Sequence, residues 1–210
     1  MKVKEIAKKA EIALEKLYPD ALCSLQYGKD YELLFAVRLS AQCTDARVNI
    51  VCADLFVKYP TLESFAQADI TELENAVKPC GFYRTKAQNI KDAAKMLIEK
   101  FNSKVPDNME DLLSLPGVGR KTANLILGDI YNTPSSVVAD THCIRISNRL
   151  GLALSKEPEK VEFALRKVLT PETSSDFCHR LVLFGREYCT ARKPKCDICP
   201  LAQICKENKK

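Results

Sequence analysis

Apolar residues recur at three- and four-residue spacing along most of this chain, which is the period of an α-helix with one buried face. Residues 3–17 and 83–100 carry the longest such patterns. Thr44 and Thr61 stand where helix N-caps are expected, and Thr71 begins a Thr-Glu-Leu-Glu sequence of the capping-box form. No stretch alternates between apolar and polar positions for long enough to predict a strand. The pattern therefore predicts an all-α protein.

Composition narrows the choice of partner and compartment. The apolar runs are short, as at residues 33–37, and fall well below the roughly 18 consecutive apolar residues of a membrane-spanning helix. A net charge of +5 favours anionic partners over membrane insertion. Six cysteines are scattered through apolar segments, as is typical of a reducing compartment, so we expect a cytoplasmic protein.

Four further cysteines are grouped near the C-terminus. Cys189, Cys196, Cys199 and Cys205 follow a C-x6-C-x2-C-x5-C spacing. Four thiolates this close together can surround one metal centre, and both a tetrahedral zinc ion and a cubane iron–sulfur cluster take four sulfur ligands. The spacing alone leaves both open.

A short basic segment lies between the first two of these cysteines. Arg192, Lys193 and Lys195 carry its charge. Such a segment is either a solvated loop or, when ligands fix both of its ends, a contact for DNA phosphates.

Another segment has the composition of a tight helical hairpin. Two short apolar helical patterns flank a Pro-Gly-Val-Gly sequence that contains Gly117 and Gly119. Glycines permit a tight turn with outward-facing N–H groups, and the start of the following helix attracts anions. We expect a phosphate-binding turn in which Val118 points inward. The alternative is an ordinary helical hairpin.

Two residues after this turn have side chains suited to chemistry on a sugar. Lys121 lies near a helix start, where the helix dipole disfavours a cation, and partial burial would act in the same direction. A neutral amine can form a Schiff base with the anomeric carbon of deoxyribose. Asp140 precedes another helix as a predicted N-cap, so its carboxylate would be fixed and ready to stabilise positive charge. The simpler readings are a surface lysine and a plain helix cap.

These segments together resemble a known family. Residues 115–121 are similar to the helix-hairpin-helix motif of DNA glycosylases, and residues 138–142 to the aspartate segment that follows it there. The cysteine spacing resembles the iron–sulfur loop of the endonuclease III branch, as does the segment at residues 39–45. The resemblance covers nearly the whole chain, with the landmarks in order.

The resemblance implies a fold of two helical domains and a [4Fe-4S] cluster. Residues 22–134 would form a six-helix domain that carries the hairpin. Residues 1–21 and 135–210 would form the cluster domain, with the four cysteines as ligands and an active-site cleft between the domains.

The same resemblance implies a bifunctional DNA glycosylase/AP lyase of base excision repair. It would act as a nucleoid-associated monomer on damaged double-stranded DNA, excise oxidised pyrimidines and nick 3′ of the abasic site through a Lys121 Schiff base, with Asp140 assisting. A flipped base leaves a gap in the duplex. Gln42 would fill that gap, Phe82 would be an apolar wedge, and His142 would face DNA.

Two alternatives remain open from the residues alone. A pyrimidine-dimer glycosylase would share the same side chains. A non-catalytic binder of damaged DNA would use only the hairpin and the basic segment. Adenine removal is disfavoured, because no acidic residue lies between Glu32 and Asp45 to serve as the catalytic glutamate of that branch.

Overall fold

The computed structural model describes residues 1–208, and within them the chain is helical throughout. These residues form eleven α-helices and three short 3-10 helices, with no strand, so the all-α prediction is confirmed. The α-helices are α1 (Val3–Leu17), α2 (Asp30–Ser40), α3 (Asp45–Lys58), α4 (Leu62–Gln67), α5 (Ile70–Val77), α6 (Tyr83–Phe101), α7 (Met109–Ser114), α8 (Arg120–Asp129), α9 (Thr141–Leu150), α10 (Pro158–Arg166) and α11 (Ser174–Glu187). Among the described helices, none combines the length and apolarity that crossing a bilayer requires.

Two of the three predicted threonine caps are present. Thr44 accepts a hydrogen bond from a backbone N–H at the start of α3, and Thr61 does so for α4, as predicted. The prediction at Thr71 is wrong. Asp69 is the N-cap of α5 and accepts from Glu72 N at 3.0 Å, which places Thr71 inside the first turn. A carboxylate two residues upstream satisfies the end of this helix instead.

The chain divides into two compact units. One comprises Ser24–Ile126, and the other combines Met1–Cys23 with the segment from Leu127 onward. The division into functional domains at residues 22–134 stays a prediction.

The Ser24–Ile126 unit has an aromatic core. The rings of Phe35 and Phe65 meet edge-on with centroids 4.9 Å apart. Helix α6 packs against α4 and α5 and buries an apolar stripe that includes Ala87, Ile90 and Leu97. This long helix gives the turns at its N-terminal end a fixed support.

In the other unit, α11 is the central helix and packs against both α1 and α9. Phe177, Leu181 and Phe184 of α11 are buried. Glu11 of α1 accepts hydrogen bonds from both the backbone N–H and the hydroxyl of Thr170, at 2.8 and 3.2 Å. The N-terminal helix is thereby joined to the C-terminal half of the chain.

Candidate active site and cluster-binding segment

The predicted hairpin is present, with α7 and α8 joined by a turn that contains both glycines. Gly117 has φ +76°. A Cβ at this position would lie 2.6 Å from Arg38 Nε and would also collide with the Asn89 amide. When the side-chain oxygen of Asn89 faces Arg38, it accepts from Arg38 Nε at 2.9 Å and from Arg38 Nη2 at 2.8 Å. Both the backbone conformation and the packing therefore require glycine at position 117.

Gly119 lies in a different environment. It is exposed, and a Cβ built on it would meet nothing within 4 Å. Its carbonyl accepts from Ala123 N at 2.9 Å, which is the first intrahelical hydrogen bond of α8. Val118, between the glycines, is half-buried rather than fully inside.

Lys121 is the second residue of α8, and its side chain is exposed. Partial burial is therefore absent at this position. Ala123 and Ile126 face the core, and Lys121 precedes Ala123 by two residues, which places it on nearly the opposite face of the helix. Its amine is accessible to a ligand.

Asp140 is the N-cap of α9, as predicted. Its Oδ1 accepts from Cys143 N at 2.7 Å, and the residue is half-buried. The three residues before it, 137–139, are buried, so the backbone that leads to the cap is fixed. The carboxylate is held in one orientation by both constraints.

Gln42 and Phe82 occupy two exposed turns of the Ser24–Ile126 unit. Phe82 is 67% exposed, so it does not belong to the aromatic core of this unit. Both residues have positive φ, 56° for Gln42 and 47° for Phe82. Positive φ is uncommon outside glycine, so the backbone conformation at both residues must be stabilised by its surroundings.

His142 is half-buried and contacts a neighbouring arginine. Arg145 Nη2 lies 3.1 Å from His142 Nδ1. A guanidinium has no acceptor, so the neutral imidazole accepts at Nδ1 and carries its proton on Nε2. A Cβ at Gly185 would collide with this ring, so α11 also fixes His142 in place.

The four C-terminal cysteines line one cavity of about 350 Å³. Within residues 1–208, no three His, Cys, Asp or Glu side chains are grouped so that they could hold a single metal ion. A cavity lined by four thiol side chains fits a cubane iron–sulfur cluster, which takes four sulfur ligands.

Two arginines of α9 support this cysteine segment. Arg149 Nη1 donates to Cys189 Sγ at 3.3 Å and to Thr190 O at 2.8 Å. Arg145 donates to Cys189 O through Nε and Nη2, at 3.1 and 3.0 Å. The two arginines are four residues apart, so they project from the same face of the helix.

The basic segment is a fixed loop with exposed charges. Arg192, Lys193 and Lys195 are all exposed. Its backbone is held at both ends, since Arg149 donates to Ala191 O at 3.2 Å and Lys195 N donates to Tyr188 O at 2.9 Å. The charged side chains therefore project from an ordered backbone.

Comparison with known proteins decides the family. Residues 35–171 match the model of the HhH-GPD superfamily of base excision DNA repair proteins. Residues 189–205, which begin and end at the outer two cysteines, match the iron–sulfur binding domain of endonuclease III. The chain belongs to the endonuclease III family.

Relatives and solved structures support this over the full length. The chain is 43% identical to endonuclease III of Synechocystis over 96% of its own length and 92% of that protein. For the Bacillus subtilis endonuclease III the identity is 42%, over 97% and 94%. A solved structure of a trapped endonuclease III–DNA covalent intermediate is 41% identical, with a TM-score of 0.92 over 100% of this chain and 98% of that one.

As a member of the endonuclease III family, this protein is a DNA glycosylase/AP lyase of base excision repair and carries a [4Fe-4S] cluster. The alternative of a non-catalytic binder is therefore not retained, and the zinc alternative is replaced by the cluster.

Sequence reasoning missed the arginines that support the cluster-binding segment of this endonuclease III relative. Arg145 and Arg149 follow Asp140 on α9, and each of them taken singly resembles a solvated helix position. Their spacing of four residues next to the small and apolar residues of α9 was the available signal, because it places both guanidiniums on one edge of a buried helix.

Proposed function

We propose that this enzyme excises oxidised pyrimidines from duplex DNA and then nicks the strand 3′ to the abasic site, with the Lys121 amine as its nucleophile. The observation that carries the proposal is an exposed lysine in the first turn of α8, directly after a glycine turn that is itself exposed at Gly117 and Gly119.

The chemistry proceeds through one covalent intermediate. The Lys121 amine attacks the anomeric carbon of the damaged nucleotide, and the base leaves. The bond between C1′ and the ring oxygen then breaks, the ring oxygen takes up a proton, and the amine nitrogen becomes an iminium. This iminium acidifies the 2′ hydrogens of the sugar, so loss of a 2′ proton expels the 3′ phosphate by β-elimination. Water then hydrolyses the Schiff base and frees the amine.

Asp140 supports this reaction electrostatically. Positive charge develops on the sugar as the base departs, and a carboxylate that is already fixed stabilises that charge without reorganising. The hydrogen bond from Cys143 N to its Oδ1 supplies the fixed orientation. Asp140 is thus a helix cap and a catalytic group at once.

The hairpin and the basic loop position the DNA backbone. The open space at Gly119 allows a phosphate to approach the amides at the start of α8, where the helix dipole favours an anion. Gly117 shapes that turn. Arg192, Lys193 and Lys195 bind further phosphates, and the cluster held by Cys189, Cys196, Cys199 and Cys205 keeps their loop in place.

Gln42 and Phe82 act on the bases rather than on the backbone. When the damaged nucleotide is flipped out, Gln42 fills the vacated position and Phe82 wedges into the stack. His142 contacts the DNA near Asp140. We further propose that the enzyme works as a cytoplasmic, nucleoid-associated monomer. Residues 22–134 would form one functional domain, and residues 1–21 together with 135–210 the other.

Borohydride trapping on an oligonucleotide duplex with one abasic site tests the nucleophile. Lys121→Gln should form no covalent adduct and should not nick, while its affinity for the same duplex stays nearly unchanged. Lys160→Gln is the matched control, since Lys160 also lies in the first turn of a helix and is exposed. Loss of trapping in both variants, or an undiminished adduct in Lys121→Gln, would refute the assignment.

The choice of lesion is tested separately with duplexes that differ only in the damaged base. Thymine glycol and 5-hydroxycytosine should be excised by the wild-type enzyme in single-turnover assays. Excision of a cyclobutane pyrimidine dimer in preference to both would assign the pyrimidine-dimer activity instead.

A further inference from the structure

Lys86, near the start of α6, is buried in a way that lysine rarely is. It is only 1% exposed and is among the largest fully buried side chains of the described residues. Lysine normally keeps its ammonium in water, because burial penalises the charge. Burial accordingly lowers the pKa of Lys86. A lysine buried in this way needs hydrogen-bond acceptors for its ammonium group.

The ammonium has three such partners, all of them backbone carbonyls. Nζ donates to Leu39 O at 2.8 Å, to Ala41 O at 2.7 Å and to Cys80 O at 2.8 Å. An ammonium has three N–H donors, so this set satisfies it fully. The same bonds satisfy carbonyls at the ends of two helical segments, which have no partner within their helices.

These carbonyls belong to the two turns that carry Gln42 and Phe82. Ala41 directly precedes Gln42, at the end of α2. Cys80 ends the 3-10 helix two residues before Phe82, and the backbone N–H of Lys86 donates to Phe82 O at 3.1 Å. One residue therefore joins both turns.

Both turns need such support, because both hold a non-glycine residue at positive φ. Cys43 N donates to Ser40 O at 3.0 Å across a turn whose third residue is Gln42, at φ 56°. Ala41 before it has φ −57° and ψ 112°, so the turn is of type II, which normally takes glycine at that third position. Phe82 follows Gly81 in the left-handed region with ψ 33°.

We propose that Lys86 is a positioning residue for DNA binding. By donating to the carbonyls of Leu39, Ala41 and Cys80, it fixes the turns of Gln42 and Phe82 relative to each other before DNA binds. The inference rests on the proposed function, because it gives those two side chains their role in the duplex. A wedge that is already ordered loses no conformational freedom when it inserts, so damage-specific binding gains directly.

The test compares affinity for two duplexes, one undamaged and one with a tetrahydrofuran abasic analogue. Lys86→Met keeps an unbranched side chain only one atom shorter than lysine and removes all three donors. We expect it to lower affinity for the abasic duplex by about tenfold, while affinity for the undamaged duplex, which depends on phosphate contacts, changes less than about threefold. Fluorescence of 2-aminopurine beside the lesion should show weaker unstacking.

Lys91→Met is the matched control. Lys91 also lies on α6 and donates to a backbone carbonyl, that of Ala68 at 2.5 Å, but it does not join the two turns. It should leave the ratio of the two affinities unchanged. If Lys91→Met lowers the ratio of abasic to undamaged affinity as much as Lys86→Met does, Lys86 acts only through general stability. That result would overturn the inference.

A double-mutant cycle tests whether Lys86 acts through Gln42 and Phe82 or contributes to DNA affinity independently of them. In a Gln42→Ala/Phe82→Ala background, adding Lys86→Met should leave the affinity for the abasic duplex unchanged, because nothing remains to position. A further tenfold loss would refute the inference. If Gln42→Ala/Phe82→Ala alone has no effect, both the wedge role and this inference fail, although borohydride trapping by Lys121 would be unaffected.

Folding is checked by circular dichroism and by the visible absorbance of the cluster. Should Lys86→Met not fold, Lys86→Gln, which retains two N–H donors, takes its place with a smaller expected loss of abasic-site affinity. If neither variant folds, Lys86 is a residue of the core and not of DNA recognition.

Discussion

Gly117 and Gly119 lie two residues apart in one turn, but the protein's own packing requires only the first. Gly117 has φ +76°, and a Cβ on it would collide with the side chains of Arg38 and Asn89, whereas a Cβ on Gly119 would face open space. Gly119 is therefore free of any constraint from its own chain. We attribute its glycine to the close approach of a DNA phosphate.

Alanine substitutions should separate these two requirements. Gly117→Ala should lower the free energy of unfolding by about 1–3 kcal/mol, through its positive φ and the collision with neighbouring side chains. Gly119→Ala should leave stability unchanged or raise it slightly, and should lower DNA affinity by about tenfold. Thermal unfolding and fluorescence anisotropy measure the two effects. A destabilised Gly119→Ala with normal DNA affinity would contradict the assignment.

The double role of Asp140 can be divided in the same manner. Asparagine caps a helix about as well as aspartate, so Asp140→Asn should keep the stability of the wild type. Asp140→Ala should lose about 1 kcal/mol with the cap. Both variants lack the carboxylate and should excise damaged bases at least about tenfold more slowly in single-turnover assays. A normal rate for Asp140→Asn would reduce Asp140 to a cap.

Periodicity was sufficient to predict the two longest helical patterns, at residues 3–17 and 83–100, because burial of one helix face produces a regular spacing of apolar residues in the sequence. It was less informative at helix ends. Thr71 matches a capping box, but Asp69 is a nearby acceptor that caps α5 instead. The sequence also left the exposure of Lys121 open, since the apolar positions of so short a helix do not define its buried face well.

Lys86 shows a further limit of sequence reasoning. In the sequence it is one charged position on an amphipathic helix, where a solvated lysine is expected. Its partners are carbonyls at residues 39, 41 and 80, so only the tertiary structure brings them to its ammonium. Every residue has a backbone carbonyl, so the sequence does not show which residues accept these hydrogen bonds.

The cluster should hold the C-terminal segment in its fold. Cys199→Ser removes one of the four proposed ligands, so the purified protein should lose visible absorbance and bound iron. Because the loop from Cys189 onward would lose its fixed end, proteolysis should remove the tail while α1 to α11 stay resistant. Iron analysis and limited proteolysis measure both outcomes. A colourless wild-type protein with one tightly bound zinc would contradict the cluster.

The basic loop should account for part of the salt dependence of DNA binding. Each phosphate contact adds about 0.9 to the slope of log Kobs against log salt concentration on duplex DNA, because bound cations are released. Replacing Arg192, Lys193 and Lys195 together by alanine should reduce that slope by up to about 2.7. The three side chains are exposed, so stability should change little.

A charge-matched control decides whether that change is local. Lys4, Lys8 and Lys9 lie on α1 and are exposed, so their replacement by alanine removes the same net charge from a helix instead of from the loop. If the loop residues contact phosphates, the α1 variant should keep the wild-type slope, since salt dependence reports displaced counterions at the contact and not net charge. An equal reduction in both triple variants would mean that the loop acts only through the overall field of the protein.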